Sequence, residues 1–275
     1  LSKYLPIGVE PLACMNDKAH HFPFSSRDLS KYIETAIIKE INQGNYGPHG
    51  GMYLDFRRID LSGMSSDFQT MWQTTKSWYK KLGVDPDQEL LEIAPFGHAI
   101  NGGLRVGPNA ESTIKNLYAV GEVAGGPHGA DRLGGNMVVC CQVFGKRAGR
   151  AAAEAITAVS KPSQDFLERL TLKSIKGING EQGRLDPEQV KKEIQELMSG
   201  NYLVVRNARG LELLTNKFQE MVSKIETEGF KIASPFAKVQ ALECRNMLDT
   251  ATIMAKAALL REESRGSHYR EDAPD

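Results

Sequence analysis

The run from Asn116 to Gly149, NLYAVGEVAGGPHGADRLGGNMVVCCQVFGKRAG, gathers the residue types in this chain best suited to chemistry. A strand pattern over Leu117 to Val120 ends in Gly121-Glu122. A loop then carries His128 and Arg132, and Gly134-Gly135 lead into a helix that opens at Asn136 and Met137. A helix N-terminus presents free N–H groups and a partial positive charge. Paired glycines let a flat ring approach the backbone, and Glu122 can accept hydrogen bonds from hydroxyl groups. The combination suits an anionic or electron-accepting ligand. Other residues carry weaker signals on their own. Arg27 alone reads as a surface residue at a helix start. His98 alone reads as a loop histidine, though Gly102-Gly103 follow it closely, and Arg132 alone reads as a salt-bridge arginine. His20-His21 lack a partner cluster and read as a solvated loop. Cys140-Cys141 fall in the first turns of an apolar helix and read as packing.

The elements that must position these residues follow from periodicity. Leu29, Ile33, Ile37 and Ile41 recur every four residues, one face of a helix that Gly44 stops. Met52 to Arg57 reads as a short strand. Ser66 with Gln69 is a capping-box pattern that opens a second helix, which Gly83 ends. The strand at Leu117–Val120 is followed by a helix from Asn136 to about Val159. Gly145, Ala148, Gly149, Ala152 and Ala153 make one side of that helix small, so a sheet can pack on it. Asp186 caps a further helix with Pro187 at its first position. Leu211, Leu214, Phe218, Met221 and Ile225 form a bundle stripe. A long helix follows Pro235 and reaches Ser264. Together these predict a helical bundle, joined to the rest by a polar linker from Ser160 to Arg184.

Composition bounds the partners. The 275 residues hold 41% hydrophobic and 25% charged side chains, ordinary for a globular protein. Lys plus Arg and Asp plus Glu both number 34. The resulting zero net charge argues against whole-surface attraction to nucleic acid or anionic membrane. Four cysteines without a CxxC pair argue against a disulfide framework and for a reducing, cytosolic setting. The expectation is a chain with no transmembrane segment, no signal peptide and no metal site.

The segment around HGADRLGGN resembles the second FAD-binding stretch of the succinate dehydrogenase/fumarate reductase/L-aspartate oxidase flavoprotein family, whose pattern there is approximately LYAAGE…HGANRLGGNSLL…VFGRRAG. Other resemblances follow in order. Ser26-Arg27-Asp28 and the helix after it resemble the family's PRD…SRAI segment. Tyr53-Leu54-Asp55 resemble its YLDLR strand. His98 to Gly103 stand where the family usually has HYTMGG. Arg206-Asn207-Ala208 resemble VGVVRN, and Glu263 to Asp272, ESRGSHYRED, resemble ESRGAHYRED.

The resemblance implies an α/β + α fold. Residues 1–93 would be a partial capping (substrate) domain, 94–159 the C-terminal segment of an FAD-binding domain, and 160–275 a helical C-terminal domain. The implied cofactor is FAD, met by Gly121, Glu122, His128, Gly134, Gly135, Asn136 and Met137. Glu122 matches the acid on the flavin's ribityl chain. The helix opening at Asn136 and Met137 matches the one aimed at the flavin pyrimidine ring, where partial positive charge stabilises reduced flavin. The implied reaction exchanges a hydride between FAD and a dicarboxylate or similar organic acid. Arg27 matches the proton-transfer arginine, while His98 and Arg132 match the pair that holds a substrate carboxylate. The implied partner is an iron–sulfur electron-transfer subunit. The implied location is cytoplasmic, peripheral at the membrane through such a partner. Three features depart from the pattern. No GxGxxG occurs in the chain, so the stretch that meets the FAD pyrophosphate is expected upstream, and the chain reads as a fragment inactive alone. Ala99, Ile100 and Asn101 replace Tyr, Thr and Met, and the lost threonine lies beside the substrate in the family. Met137 replaces a serine, where the contact comes from backbone N–H. Alternatives are an L-aspartate oxidase-like enzyme, an adenylylsulfate reductase-like one, and a truncated non-catalytic folding or subunit-contact module.

Overall fold

The computed structural model describes residues 1–20, 24–57, 66–156, 161–174, 178 and 182–274. They form two compact units: Leu1–Pro11 with Tyr32–Phe96, and Leu12–Lys31 with Gly97–Asp275.

In the first unit, helix α2 (Lys31–Asn42) precedes strand β1 (Met52–Leu54), helix α3 (Ser66–Lys81) and strand β2 (Leu91–Ile93). The two strands pair antiparallel with Met52 opposite Ile93. β1 is shorter than the predicted 52–57 strand because Asp55 turns the chain: its carboxylate accepts from the backbone N–H and guanidinium of Arg57. Helix α2 also differs from expectation. Its buried positions are Glu34, Thr35, Ala36 and Ile38, while Leu29 precedes the helix and is exposed. Ser66, the expected capping residue, is itself helical in α3.

The second unit opens with helix α1 (Pro11–His20), most of which belongs to it. His20 ends that helix, its Nδ1 2.7 Å from the Asn16 carbonyl, rather than sitting in a loop; His21 lies outside the described residues. Strands β3 (Leu104–Arg105) and β4 (Ala124–Gly125) pair in parallel. Leu117–Val120 is not a sheet strand as predicted. Its backbone pairs back on the preceding turn, through Ser112 N–H to the Leu117 carbonyl and Ala119 N–H to the Ala110 carbonyl. Helix α4 (Asn136–Ala155) follows. Ala148 is its one buried residue, so no sheet covers the small face among the described residues. The predicted linker holds helix α5 (Gln164–Ser174). The overlooked signal was Ser163, whose Oγ accepts from the N–H of Phe166 as an N-cap does.

Helices α6 (Pro187–Asn201), α7 (Ala208–Glu228) and α8 (Pro235–Leu260) form the bundle. Asp186, Asn207 and Ser234 each accept a first-turn N–H at their N-termini. Leu211, Leu214, Phe218, Met221 and Ile225 are buried against Ile194, Leu248 and the small residues Ala241, Ala251, Ala255 and Ala258. Residues 183–185 run beside 229–231 and close one end, with Lys231 N–H bonded to the Leu185 carbonyl. Helix α8 stops at Leu260, four residues short of expectation. The buried Arg270 guanidinium donates to the carbonyls of Ala258 and Arg261, ending the ladder as a positive charge does at a helix C-terminus.

Candidate active site

All the predicted site residues lie in the second unit; three short segments carry Arg27, His98 and Arg132, and Gly121 and Glu122 lie in the short turn Gly121–Val123. The first carries Ser25, Ser26 and Arg27. Both serines are buried and Arg27 is exposed. The Arg27 guanidinium meets no partner among the described residues. The second segment runs from His98 to β3. Ile100 N–H donates to Glu122 Oε1 at 2.7 Å. Gly103, at φ 146°, lies so close to the Val123 carbonyl that an added Cβ would collide with it. Only glycine therefore brings the His98 segment this close to Gly121–Val123. The third segment is the loop from Gly126 into α4. Arg132 donates one N–H to the Leu133 carbonyl at 3.2 Å, which leaves its other N–H groups for a ligand.

A single loop at the C-terminal end of the chain touches all three segments. Ser26 N–H donates to the Gly266 carbonyl at 2.7 Å, and the ring of Phe24 stands edge-on to that of Tyr269. Asn101 Nδ2 donates to Ser267 Oγ at 3.2 Å. Ser267 N–H donates to the Ala130 carbonyl at 3.2 Å, two residues from Arg132. The loop is itself fixed to the bundle. Arg206 N–H donates to the Tyr269 carbonyl and Glu271 N–H to the Arg206 carbonyl. Arg270 pairs with Asp272 through both ends of its guanidinium, at 2.7 Å each. Asp272 also accepts from Ala208 N–H, and these contacts hold its carboxyl well below the usual range. His268 is buried beside Arg206, Arg261 and Arg270. Burial, reinforced by those positive charges, pulls it down to about 4, against the Arg261 carbonyl that favours its cation. It is therefore neutral near pH 7.

The flavin-side residues fit a flavin nucleotide. Gly135, in the left-handed conformation, precedes α4, and no side chain caps its first N–H groups. Those donors remain for an anionic or electron-rich ring edge. An added Cβ at Gly134 or Gly135 would meet nothing, so the approach is open. His128 Nε2 is buried and has no hydrogen-bond partner. An orphaned buried polar atom in the loop that leads to these donors is what a site awaiting a polar ligand leaves. Gly121 and Glu122 open their own short turn, Gly121–Val123, with Cys141 of α4 packed toward Gly121. Cys140 is half-buried, and burial pushes its thiol up, away from reactive thiolate. Among the described residues no group of three or more His, Cys, Asp or Glu side chains is placed to hold a metal ion.

Sequence reasoning missed the loop's joining role. The charge run Glu262 to Asp275 alone reads as a solvated tail, and its match to the family signature gives a structural or subunit-contact role equal weight. Four features marked it in retrospect: a glycine, a histidine and two arginines that become buried or bonded.

Comparison with known proteins bears on the family. Residues 10–138 match the family model described as FAD binding domain, and residues 191–275 match fumarate reductase flavoprotein C-term. The chain is 36% identical over 257 residues to one of the subunits of fumarate reductase (CoM/CoB) from Methanothermobacter marburgensis, covering 91% of this chain and 45% of that protein. It is 31% identical over 262 residues to L-aspartate oxidase of Bacillus subtilis, covering 93% and 43%. Among solved structures, Mycobacterium smegmatis Sdh1 in complex with UQ1 superposes with a TM-score of 0.79 at 29% identity, covering 90% of this chain and 42% of that one. A quinol-fumarate reductase solved with menaquinol molecules gives 0.66 at 26% identity, covering 88% and 43%. The chain thus spans a little under half the length of the curated relatives it matches. With an FAD-binding match, a flavoprotein C-terminal match and these relatives, the chain belongs to the succinate dehydrogenase, fumarate reductase and L-aspartate oxidase flavoprotein family.

Proposed function

We propose that this chain is the substrate-side part of an FAD-dependent oxidoreductase that interconverts a dicarboxylate or similar organic acid with its dehydrogenated form. The observation that carries this reading is the joining of the Arg27, His98 and Arg132 segments to one loop, beside the uncapped N-terminus of α4. Arginine and histidine on separate segments suit a substrate with two anionic ends. A guanidinium matches a carboxylate with paired hydrogen bonds, which orients the substrate and polarises its carbon–carbon bond.

When bound, FAD supplies the hydride acceptor or donor. His98 and Arg132 hold one carboxylate. Arg27 exchanges a proton with the carbon next to the one that exchanges the hydride, so each turnover moves one hydride and one proton. Arginine is a weak acid in water, and the role requires an enclosed site when substrate is bound. Glu122, Gly121, His128, Gly134, Gly135, Asn136 and Met137 form the flavin-side cradle. Residues 1–93 serve as capping domain, 94–159 as part of the FAD-binding domain and 160–275 as helical domain. An iron–sulfur subunit is the partner that carries electrons. Among the described residues no helix is long and apolar enough to cross a membrane, which suits attachment through partner chains.

The test is turnover, with fumarate, succinate and L-aspartate in parallel, of the flavin-loaded protein that also carries the GxGxxG stretch this sequence lacks. Activity with a dicarboxylate that is abolished by Arg132→Ala supports the reading. Oxidation of L-aspartate with dioxygen as acceptor would favour the L-aspartate oxidase alternative. Absence of turnover with every organic acid tried would overturn both.

A further inference from the structure

We propose that the loop Ser264–Asp272 is the positioning element of this site, and that the Asn101–Ser267 hydrogen bond carries its influence to the His98 segment. The inference rests on the reading above for its catalytic consequence, but its structural half stands alone. The three candidate segments are far apart in sequence, and each is bonded to this loop. Two bonds are backbone to backbone, Ser26 to Gly266 and Ser267 to Ala130. They fix the Arg27 and Arg132 segments without using a side chain of the loop. The His98 segment is the exception: its attachment to the loop runs through a side-chain pair, Asn101 to Ser267.

The loop is built to hold its place. Gly266, at φ 62°, is buried against Ala130, and an added Cβ would strike the Ala130 carbonyl. Any other residue would thus be strained twice, in conformation and in space. Behind it, Ser264 Oγ accepts from Arg270 N–H at 2.8 Å and donates to the Ala273 carbonyl at 2.7 Å. Arg270, at 3% exposure, ties the loop to the end of α8. The loop is therefore anchored on the bundle side and presents Gly266 and Ser267 on the site side. Both members of the side-chain pair depart from the family pattern quoted earlier, in which Met and Ala stand at these positions. Here both positions are polar, and a hydrogen bond joins Asn101 to Ser267. That bond holds a segment whose residue beside the substrate, Ile100, also departs from the pattern. The hydrogen bond makes Asn101 and Ser267 positioning residues and not catalytic ones.

Two measurements test this. In the 275-residue chain, amide hydrogen exchange is followed by mass spectrometry in peptides covering 98–103. Ser267→Ala and Asn101→Ala should each speed exchange there by roughly 3–10-fold, the loss of one hydrogen bond, and Ser267→Thr, which keeps the hydroxyl, should restore it. In the flavin-loaded protein the alanine variants should raise KM for the organic acid more than they lower kcat, again with rescue by Ser267→Thr. A purely stabilising role would move neither KM nor its rescue. Unchanged exchange over 98–103 in both alanine variants would overturn the coupling, even if Arg132→Ala abolishes turnover. Faster exchange without dicarboxylate turnover in the unmodified protein would leave the coupling standing and sink the functional reading instead. Faster exchange with KM unchanged in an active protein would overturn the positioning role.

Discussion

Arg27, His98 and Arg132 illustrate how little a single side chain says about itself. Each has a plain reading as a surface or loop residue, and what links them is that the segments carrying them are bonded to one loop. Replacing Arg27 by alanine in the flavin-loaded protein should lower turnover by about 10²–10⁴-fold, the usual worth of a proton-transfer group, with flavin content unchanged. Steady-state kinetics alongside the flavin absorbance check this, and near-normal turnover would remove Arg27 from the mechanism. His268 gives a second prediction at this scale. An unfolded histidine takes up a proton as the pH falls through about 6.5, whereas the folded one resists until about 4. The unfolded chain thus binds more protons between those values, so stability falls as pH is lowered from about 6.5 to about 4. Urea midpoints across that range should decline, and His268→Asn should make the decline shallower. An equally steep decline in the variant would mean that other groups set it.

Among the elements, the bundle helices behave as their sequences suggest. Their caps, proline starts and apolar stripes agree with one another, and that agreement between levels makes a segment legible. Phe218, fully buried in α7, is central to this core. Its truncation to alanine should cost about 3–5 kcal/mol, and Asp186→Ala, which removes the α6 cap, about 1 kcal/mol. Both are read from urea unfolding, and the ordering matters more than either value. Arg270→Met should cost roughly 2–4 kcal/mol, because it strips the cap from α8 and leaves Asp272 without its partner. A loss no larger than that of the α6 cap would show that the guanidinium is dispensable there. Several elements escaped the sequence reading, among them helix α1, whose His20 was expected in a loop, and the short strands β2, β3 and β4. Helix α5 was hidden by a composition that looked like a linker, and the 117–120 segment pairs with its own preceding turn.

On the scale of the whole molecule, α4 is the telling element. Val138 and Val139 are 68% and 59% exposed, and Leu133 just before the helix is 69% exposed. Exposed apolar side chains clustered at one place mark a surface that another element covers. The stretch meeting the FAD pyrophosphate in this family carries a GxGxxG turn, which this sequence lacks. The proposed flavin-side cradle offers only N–H donors for the ring edge and the Glu122 carboxylate for the ribityl chain. The 275-residue chain by itself should therefore retain no stoichiometric FAD through desalting, and should show no dicarboxylate turnover. An absorbance spectrum with flavin bands near one equivalent per chain would contradict this.

The sequence alone determined the family resemblance, the bundle helices and the residue types of the site. Those depend on local chemistry: spacing of apolar positions, capping side chains, and glycines next to charged residues. It could not determine that residues 264–272 are a junction instead of a charged tail. A tail and a junction have the same composition, and they differ in whether Arg270 and His268 find carbonyls and carboxylates to bond when buried. Nor could it show that Asn101 meets Ser267 across 166 positions of sequence. Such pairings are set by the folding of α6, α7 and α8, which carries the loop to the three site segments; no local propensity encodes that distance.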